Sequence, residues 1–140
     1  MTTINNGVTQ AVVLPSGNYT SPLTITSAGY VNYAVAGDAV SGIGTVVNLG
    51  TITQGDGSSA EAGYGVTLGG GGVVTNGGTG ASVSTALIDG YVGVGLGTGA
   101  AGTLTNYGTV TGFQGVILNG GGTVSNGAGG TTGAIIQGYS

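Results

Sequence analysis

The stretch Tyr91 to Gly112 reads YVGVGLGTGAAGTLTNYGTVTG. It holds three short apolar pulses. Val94-Gly95-Leu96 is the first, Leu104 just before Asn106 is the second, and Val110 is the third. Each pulse alternates with small or polar residues, and glycine-rich turns separate them. Alternation with period two places one residue inward and the next outward along a strand. One pair of strands has no use for three such pulses, whereas one coil of a β-solenoid does.

The same unit recurs on either side. Apolar pairs that open a unit are Val66 and Leu68, Val94 and Leu96, and Val116 and Leu118, with a weaker version at Val35 and Val40. A glycine turn follows, then a strand that ends in asparagine: TVVN at 45–48, VVTN at 73–76, TLTN at 103–106 and TVSN at 123–126. A third strand closes the unit, as TIT at 51–53, ALI at 86–88, TVT at 109–111 and AII at 134–136. The unequal spacing of the asparagines places insertions at 54–63 and 77–85. Turns of a β-helix vary in length while its strands stay in register. No apolar period of 3.6 survives the glycines, so helices are not expected.

Residues 1–29 are poorer in glycine and contain both prolines. They carry the runs Ala11-Val12-Val13-Leu14 and Leu23-Thr24-Ile25-Thr26. They are read as N-terminal cap strands, because a solenoid end needs cover against edge pairing. Residues 30–140 are read as the β-helix repeats. The expected fold is one all-β domain, a single-stranded, right-handed parallel β-helix. It has about four to five coils of three short strands each.

Two columns of residues follow from the repeat. Asn48, Asn76, Asn106 and Asn126 hold one place in successive units, and an amide ladder in a turn is the simplest role for them. Aromatic residues mark the unit starts at Tyr33, Tyr64, Tyr91, Phe113 and Tyr139, and are read as a row that packs for stability. Its sharper alternative is a sugar-binding platform. The pairs Thr51 and Thr53, Thr103 and Thr105, and Thr109 and Thr111 flank inward residues. They read as ordinary strand surface, interrupted by Val73, Ser125, Ala134 and Ile136; an ordered-water or ice-binding array is the alternative.

Charge narrows the function further. The 140 residues include no Lys, Arg or His and four acids, for a formal net charge of −4. Nucleic-acid binding needs cations to neutralise phosphate, so it is excluded, and attraction to anionic lipid fails for the same reason. No apolar run of about 18 residues predicts a membrane helix, and no membrane insertion is expected. Without cysteine there is no disulfide or thiolate metal site. Proton abstraction has no basic side chain, and the acids Asp38, Asp56, Glu61 and Asp89 are scattered rather than paired. The loop Asp56 to Glu61 has too few oxygens for a convincing calcium site. Gly69 to Gly72 has neither the lysine nor the helix of a phosphate loop. No enzyme, cofactor or metal is expected.

The units GTLTNYGTVTG, GVILNGGGTVSN and YGVTLGGGGVVTN resemble the repeats of very large bacterial surface proteins, of the autotransporter-passenger and filamentous-adhesin kind. The resemblance covers about residues 30 to 140, and the N-terminal part is similar to the start of such a passenger. It implies a right-handed parallel β-helix in a structural role on a bacterial cell surface or outside the cell. The N-terminus has no signal-peptide pattern. Export signals are therefore expected outside this chain, or Met1 was introduced in cloning. Tyr139 repeats the position that opens a coil. Two readings of that end stay open: a segment of a longer protein, or a rung that docks head to tail on the next copy to build a filament. Self-association through the solenoid ends is the expected partnership, with a glycan or surface ligand beside it. Ice or polysaccharide binding is the alternative function.

Overall fold

The computed structural model describes residues 1–55, 62–79, 85–127 and 133–139. Its strands are β1 (Thr2–Ile4), β2 (Gly7–Val8), β3 (Val12–Leu14), β4 (Leu23–Ile25), β5 (Tyr30–Tyr33), β6 (Val40–Asn48), β7 (Thr51–Gln54), β8 (Tyr64–Asn76), β9 (Leu87–Asp89), β10 (Val92–Leu96), β11 (Gly102–Asn106), β12 (Thr109–Gly112), β13 (Gln114–Leu118), β14 (Gly122–Asn126) and β15 (Ile135–Gly138). All pair in parallel, and together they form a β-solenoid of about four turns.

Three faces emerge from the pairing. Face one stacks β3, the start of β6, the start of β8, β10 and β13. Face two stacks β1, β4, the end of β6, the end of β8, β11 and β14. Face three stacks β2, β5, β7, β9, β12 and β15. The chain passes from face two to three to one and then repeats. In β6 and β8 it continues through the corner from face one to face two without leaving the strand.

The core is made of columns. On face one Val12, Val40, Val66, Val94 and Val116 are in register, as are Leu68, Leu96 and Leu118. On face two Leu23, Val46, Val74, Leu104 and Val124 line up, and on face three Val31, Ile52, Ile88, Val110 and Ile136. Away from the last rung these side chains are buried. Full burial of each contributes roughly 1.5–3 kcal/mol. A rung alone covers none of its neighbour's face, so burial comes only from stacking.

The corner between faces three and one explains a glycine pattern in the sequence. A Cβ on Gly93 would lie 2.6 Å from the Gly115 carbonyl oxygen and 2.7 Å from Val110 Cγ1. One on Gly112 would lie 2.6 Å from the Gly90 oxygen and 2.8 Å from the Gly93 nitrogen. Backbone and core side chains fill the space of the missing side chains, so the chain bends here with faces one and three in close approach.

The strands of residues 1–29 do not stand apart from the coils. β1 and β4 continue face two, β2 continues face three and β3 continues face one, all in parallel register. Ile4, Val12, Leu14, Leu23 and Ile25 belong to the same buried cluster as the repeats, and Tyr19 packs against it from the connection between β3 and β4.

One unit start is placed differently from expectation. Tyr33 ends β5 on face three, in register with Gln54, and Val35 is 53 % exposed. The inward residue that opens face one in that coil is Val40. The aromatic and Val35 resemble a unit start in sequence, but the corner has not yet been turned there.

Candidate functional site: the asparagine ladder and the outer columns

Each of the first three repeat asparagines sits where face two turns into face three. In the compact corners Asn48-Leu49-Gly50 and Asn106-Tyr107-Gly108, the asparagine Oδ1 accepts from the glycine N–H two residues on, at 3.2 Å in both. Its Nδ2 reaches that glycine's carbonyl at 3.2 Å and 3.1 Å. This is the local turn that asparagine supports. The same Nδ2 also reaches across rungs. Asn48 donates to Asn76 Oδ1 at 2.8 Å, Asn76 to Asn106 Oδ1 at 2.9 Å, and Asn106 to Asn126 Oδ1 at 2.7 Å.

Backbone oxygens of the following rung take a further share. Asn48 Nδ2 donates to Leu87 O, Asn76 Nδ2 to Thr109 O and Asn106 Nδ2 to Ile135 O, each at 2.9 Å. Asn48, Asn76 and Asn106 have no exposed surface. A buried amide without partners is costly, and here donors and acceptor alike are engaged. Asn126 is exposed and its Nδ2 donates to Ala134 O at 3.2 Å. The column has a direction, with every amide nitrogen pointing toward the C-terminal rung. On the N-terminal side it stops at Ile25, the register partner of Asn48, and then Ile4.

The aromatic residues do not form one row. Tyr91 and Phe113 stack with ring centroids 5.2 Å apart and planes 14° from parallel. The register that pairs Gly112 with Gly138 puts Tyr139 next in that column. Tyr64 is one residue out of step, because it pairs with Val92 rather than Tyr91. Its ring lies over Gly95, where a Cβ would be 2.3 Å from Tyr64 Cε1. Tyr33 belongs to face three. Face-to-face stacking of Tyr91 on Phe113 covers one face of each ring, while Phe113 stays 52 % exposed.

The outward residues of face two form two columns. One runs Thr45, Val73, Thr103, Thr123 and the other Thr24, Val47, Thr75, Thr105, Ser125. Every side chain in them is short and uncharged. Ile136 points into face three and Ala134 lies in the turn before it, so neither interrupts this array. The threonine pairs of face three are broken: Thr51 and Thr109 flank Leu87, and Thr53 and Thr111 flank Asp89.

Two of the four acids fall among the described residues. Asp38 Oδ1 accepts from the Tyr64 backbone N–H at 3.1 Å, and Asp89 Oδ1 accepts from Thr111 Oγ1 at 2.6 Å. Asp56 and Glu61, with the loop weighed for calcium, lie outside the described residues.

Gln54 is a buried polar residue that the repeat pattern did not single out. Its Oε1 accepts from the Tyr91 N–H at 3.2 Å and its Nε2 donates to Val35 O at 3.2 Å. It ties together the corner from which the insertion after β7 departs. The signal was there: it stands where the later rungs carry Gly90, Gly112 and Gly138.

No protein-family model, curated protein or solved structure matches this chain.

Proposed function

We propose that this chain is a structural, non-catalytic β-solenoid segment of a bacterial cell-surface or extracellular protein, serving as a stalk or as a subunit that associates end to end. The observation that carries the reading is the continuity of the columns. Four inward columns and a directional amide ladder pass from rung to rung, so that adding a rung adds length and new core together. The chain has no cationic side chain to bind phosphate and no Lys, Arg or His to serve as a nitrogen base. Its described carboxylates are each held by a main-chain or side-chain donor. Such a molecule is suited to holding a shape at a distance.

At the C-terminal rung Val124 is 40 % exposed, and Val116, Leu118 and Ile136 are only partly buried. A further rung completes this core, whether from a longer polypeptide or from the N-terminal rung of a second copy. In the second case the column register sets Ile4 above Asn126. Apolar columns then continue while the ladder does not, which favours the stalk over the filament. Low charge leaves little repulsion to oppose either form. Electron microscopy and sedimentation of the purified chain separate the two. Thin fibres that lengthen with concentration support end-to-end association, and monomers at high concentration support the stalk. Surface labelling of intact cells that express the full-length polypeptide tests the location, and confinement of the label to lysed cells overturns it.

A second reading, an ice-binding module, is favoured by face two. Its hydroxyl and methyl groups form a grid of about 4.8 Å between rungs and about 6.7 Å along the strand. Thermal hysteresis that disappears on replacing Thr103 and Thr105 with bulky residues is the result this reading requires.

A further inference from the structure

Asparagine followed by glycine is chemically unstable in a flexible chain. The glycine nitrogen, once deprotonated, attacks the asparagine Cγ. A bond forms between that nitrogen and Cγ, the Cγ–Nδ2 bond breaks, and ammonia leaves with the proton. Water then opens the resulting ring to aspartate or isoaspartate. The reaction needs only water, but it needs the glycine N–H free and the side chain able to turn back upon it.

Three such pairs follow strands on the faces: Asn76–Gly77, Asn119–Gly120 and Asn126–Gly127. (A fourth, Asn6–Gly7, lies at the edge strand β2 beneath the Tyr30 ring, away from the ladder.) At Asn76 the Gly77 N–H donates to Asn48 O at 2.7 Å, and the side chain is engaged on both sides in the ladder. At Asn126 the Gly127 N–H donates to Asn106 O at 2.9 Å, and Oδ1 accepts from Asn106. Asn119 differs in both respects. It is exposed in the turn between β13 and β14. Its main-chain N–H donates to Leu96 O at 2.9 Å, but neither its side-chain amide nor the Gly120 N–H has a hydrogen-bond partner among the described residues.

We propose that Asn119–Gly120 is a site of spontaneous deamidation, and that the asparagine ladder with its rung hydrogen bonds closes the same reaction at Asn76–Gly77 and Asn126–Gly127. The ladder is thus a chemical safeguard for its own amides as well as a structural element. Each event adds one negative charge to a chain whose net charge is −4 and which has no side-chain cation to offset it. The modification falls on the corner joining faces one and two, outside the ladder, and isoaspartate there lengthens the main chain by one carbon.

The experiment incubates the purified full chain at mildly alkaline pH. It follows charge by isoelectric focusing and position by mass spectrometry of chymotryptic fragments, since trypsin has no site. Asn119 should convert ahead of Asn76 and Asn126, whatever the rate at the edge-strand pair Asn6–Gly7. Asn76 and Asn126 should convert more than about tenfold more slowly, because reaction must first break at least one rung hydrogen bond. In urea the three rates should converge. The variant Asn119→Gln should lose the acidic species mapped to residue 119 while keeping its melting temperature. Conversion of Asn76 or Asn126 as fast as Asn119 in the folded chain overturns the proposal, as does an unchanged rate difference in urea.

Discussion

Asn76 Nδ2 donates to Asn106 Oδ1 across 2.9 Å, and neither residue has any exposed surface. The bond joins residues 30 positions apart, so it ties two coils together at the corner where face two becomes face three. Removing either partner leaves the other buried and short of a bond. Asn106→Ala strips the acceptor from Asn76 and the donors to Asn126, Gly108 and Ile135. An unsatisfied buried group costs about 1–3 kcal/mol. The expected outcome is a loss of that order or more in chemical denaturation, and an unchanged unfolding midpoint counts against the ladder as a stabilising element.

Replacement by aspartate at the same place gives a pH signature. Asn106→Asp keeps an acceptor for Asn76 but loses the Nδ2 donor, and its carboxylate faces the Gly108 and Ile135 oxygens. Burial disfavours the charged form, so the folded-state pKa of this carboxyl rises above the unfolded value of about 3.9. The folded state then holds its proton more tightly than the unfolded state. Stability falls as pH rises from the unfolded pKa toward the folded one. Melting temperatures of the variant should be higher near pH 3 than at pH 7, relative to the parent at each pH. A difference between variant and parent that does not change with pH removes the argument.

Much of this arrangement was legible in the sequence because burial and hydrogen bonding set it. The Thr-x-Thr-Asn unit marks face two and its corner, since an inward Leu104 between outward threonines has only one way to face. The Asn residues share a column because the corners from Asn48 onward are tied by the same amide. The aromatics were not legible in the same way. Tyr33 and Tyr64 lie beside corners where outward residues are free to shift, and the insertion after Gln54 separates them. Their spacing therefore does not report register. The glycine pairs at the corner between faces three and one were visible as Gly90-Tyr91-Val92-Gly93 and Gly112-Phe113-Gln114-Gly115. Their meaning depends on which atoms approach them, and that comes only from three dimensions.

That corner makes a sharp prediction. Gly93→Ala places a Cβ against the Gly115 oxygen and Val110 Cγ1, and neither atom is at the end of a flexible side chain. Overpacking of this kind costs roughly 1–3 kcal/mol. Gly99→Ala is the control, because nothing lies within 4 Å of its added Cβ. Gly93→Ala should lower the melting temperature clearly and Gly99→Ala should leave it nearly unchanged. Equal effects would show that the cost comes from glycine content rather than from close approach.

The stacked pair at the outer corner tests the two roles weighed for the aromatics. Phe113→Leu removes the ring that lies on Tyr91 while keeping an apolar side chain. The expected loss is about 0.5–1.5 kcal/mol beyond the change in buried area. Phe113→Tyr keeps the stack and should restore most of it. On a glycan array the parent and Phe113→Leu should behave alike. Binding by the parent that Phe113→Leu abolishes would instead establish a sugar platform.

Stability should also fall off along the solenoid. Leu104 and Val124 occupy one inward column on adjacent rungs, yet Leu104 is fully buried and Val124 is 40 % exposed. The β11 strand is paired on both sides, by β8 and β14, whereas β14 pairs with β11 alone among the described strands. Truncating Leu104 to Ala should therefore cost about 2–5 kcal/mol, as buried leucines do. Val124→Ala removes less surface from a place already half open, and should cost less than about 1 kcal/mol. Amide hydrogen exchange gives an independent measure, because local openings are cheapest where few contacts hold a segment. Backbone amides of β14 and β15 should exchange well before those of β8 and β11. Appending the next face-one and face-two strands, as a repeat of residues 115–126, should slow the exchange of β14 toward that of β11. If β14 is as protected as β11 without any added rung, the C-terminal face is already covered in solution, and a second copy in self-association is the first candidate for the cover.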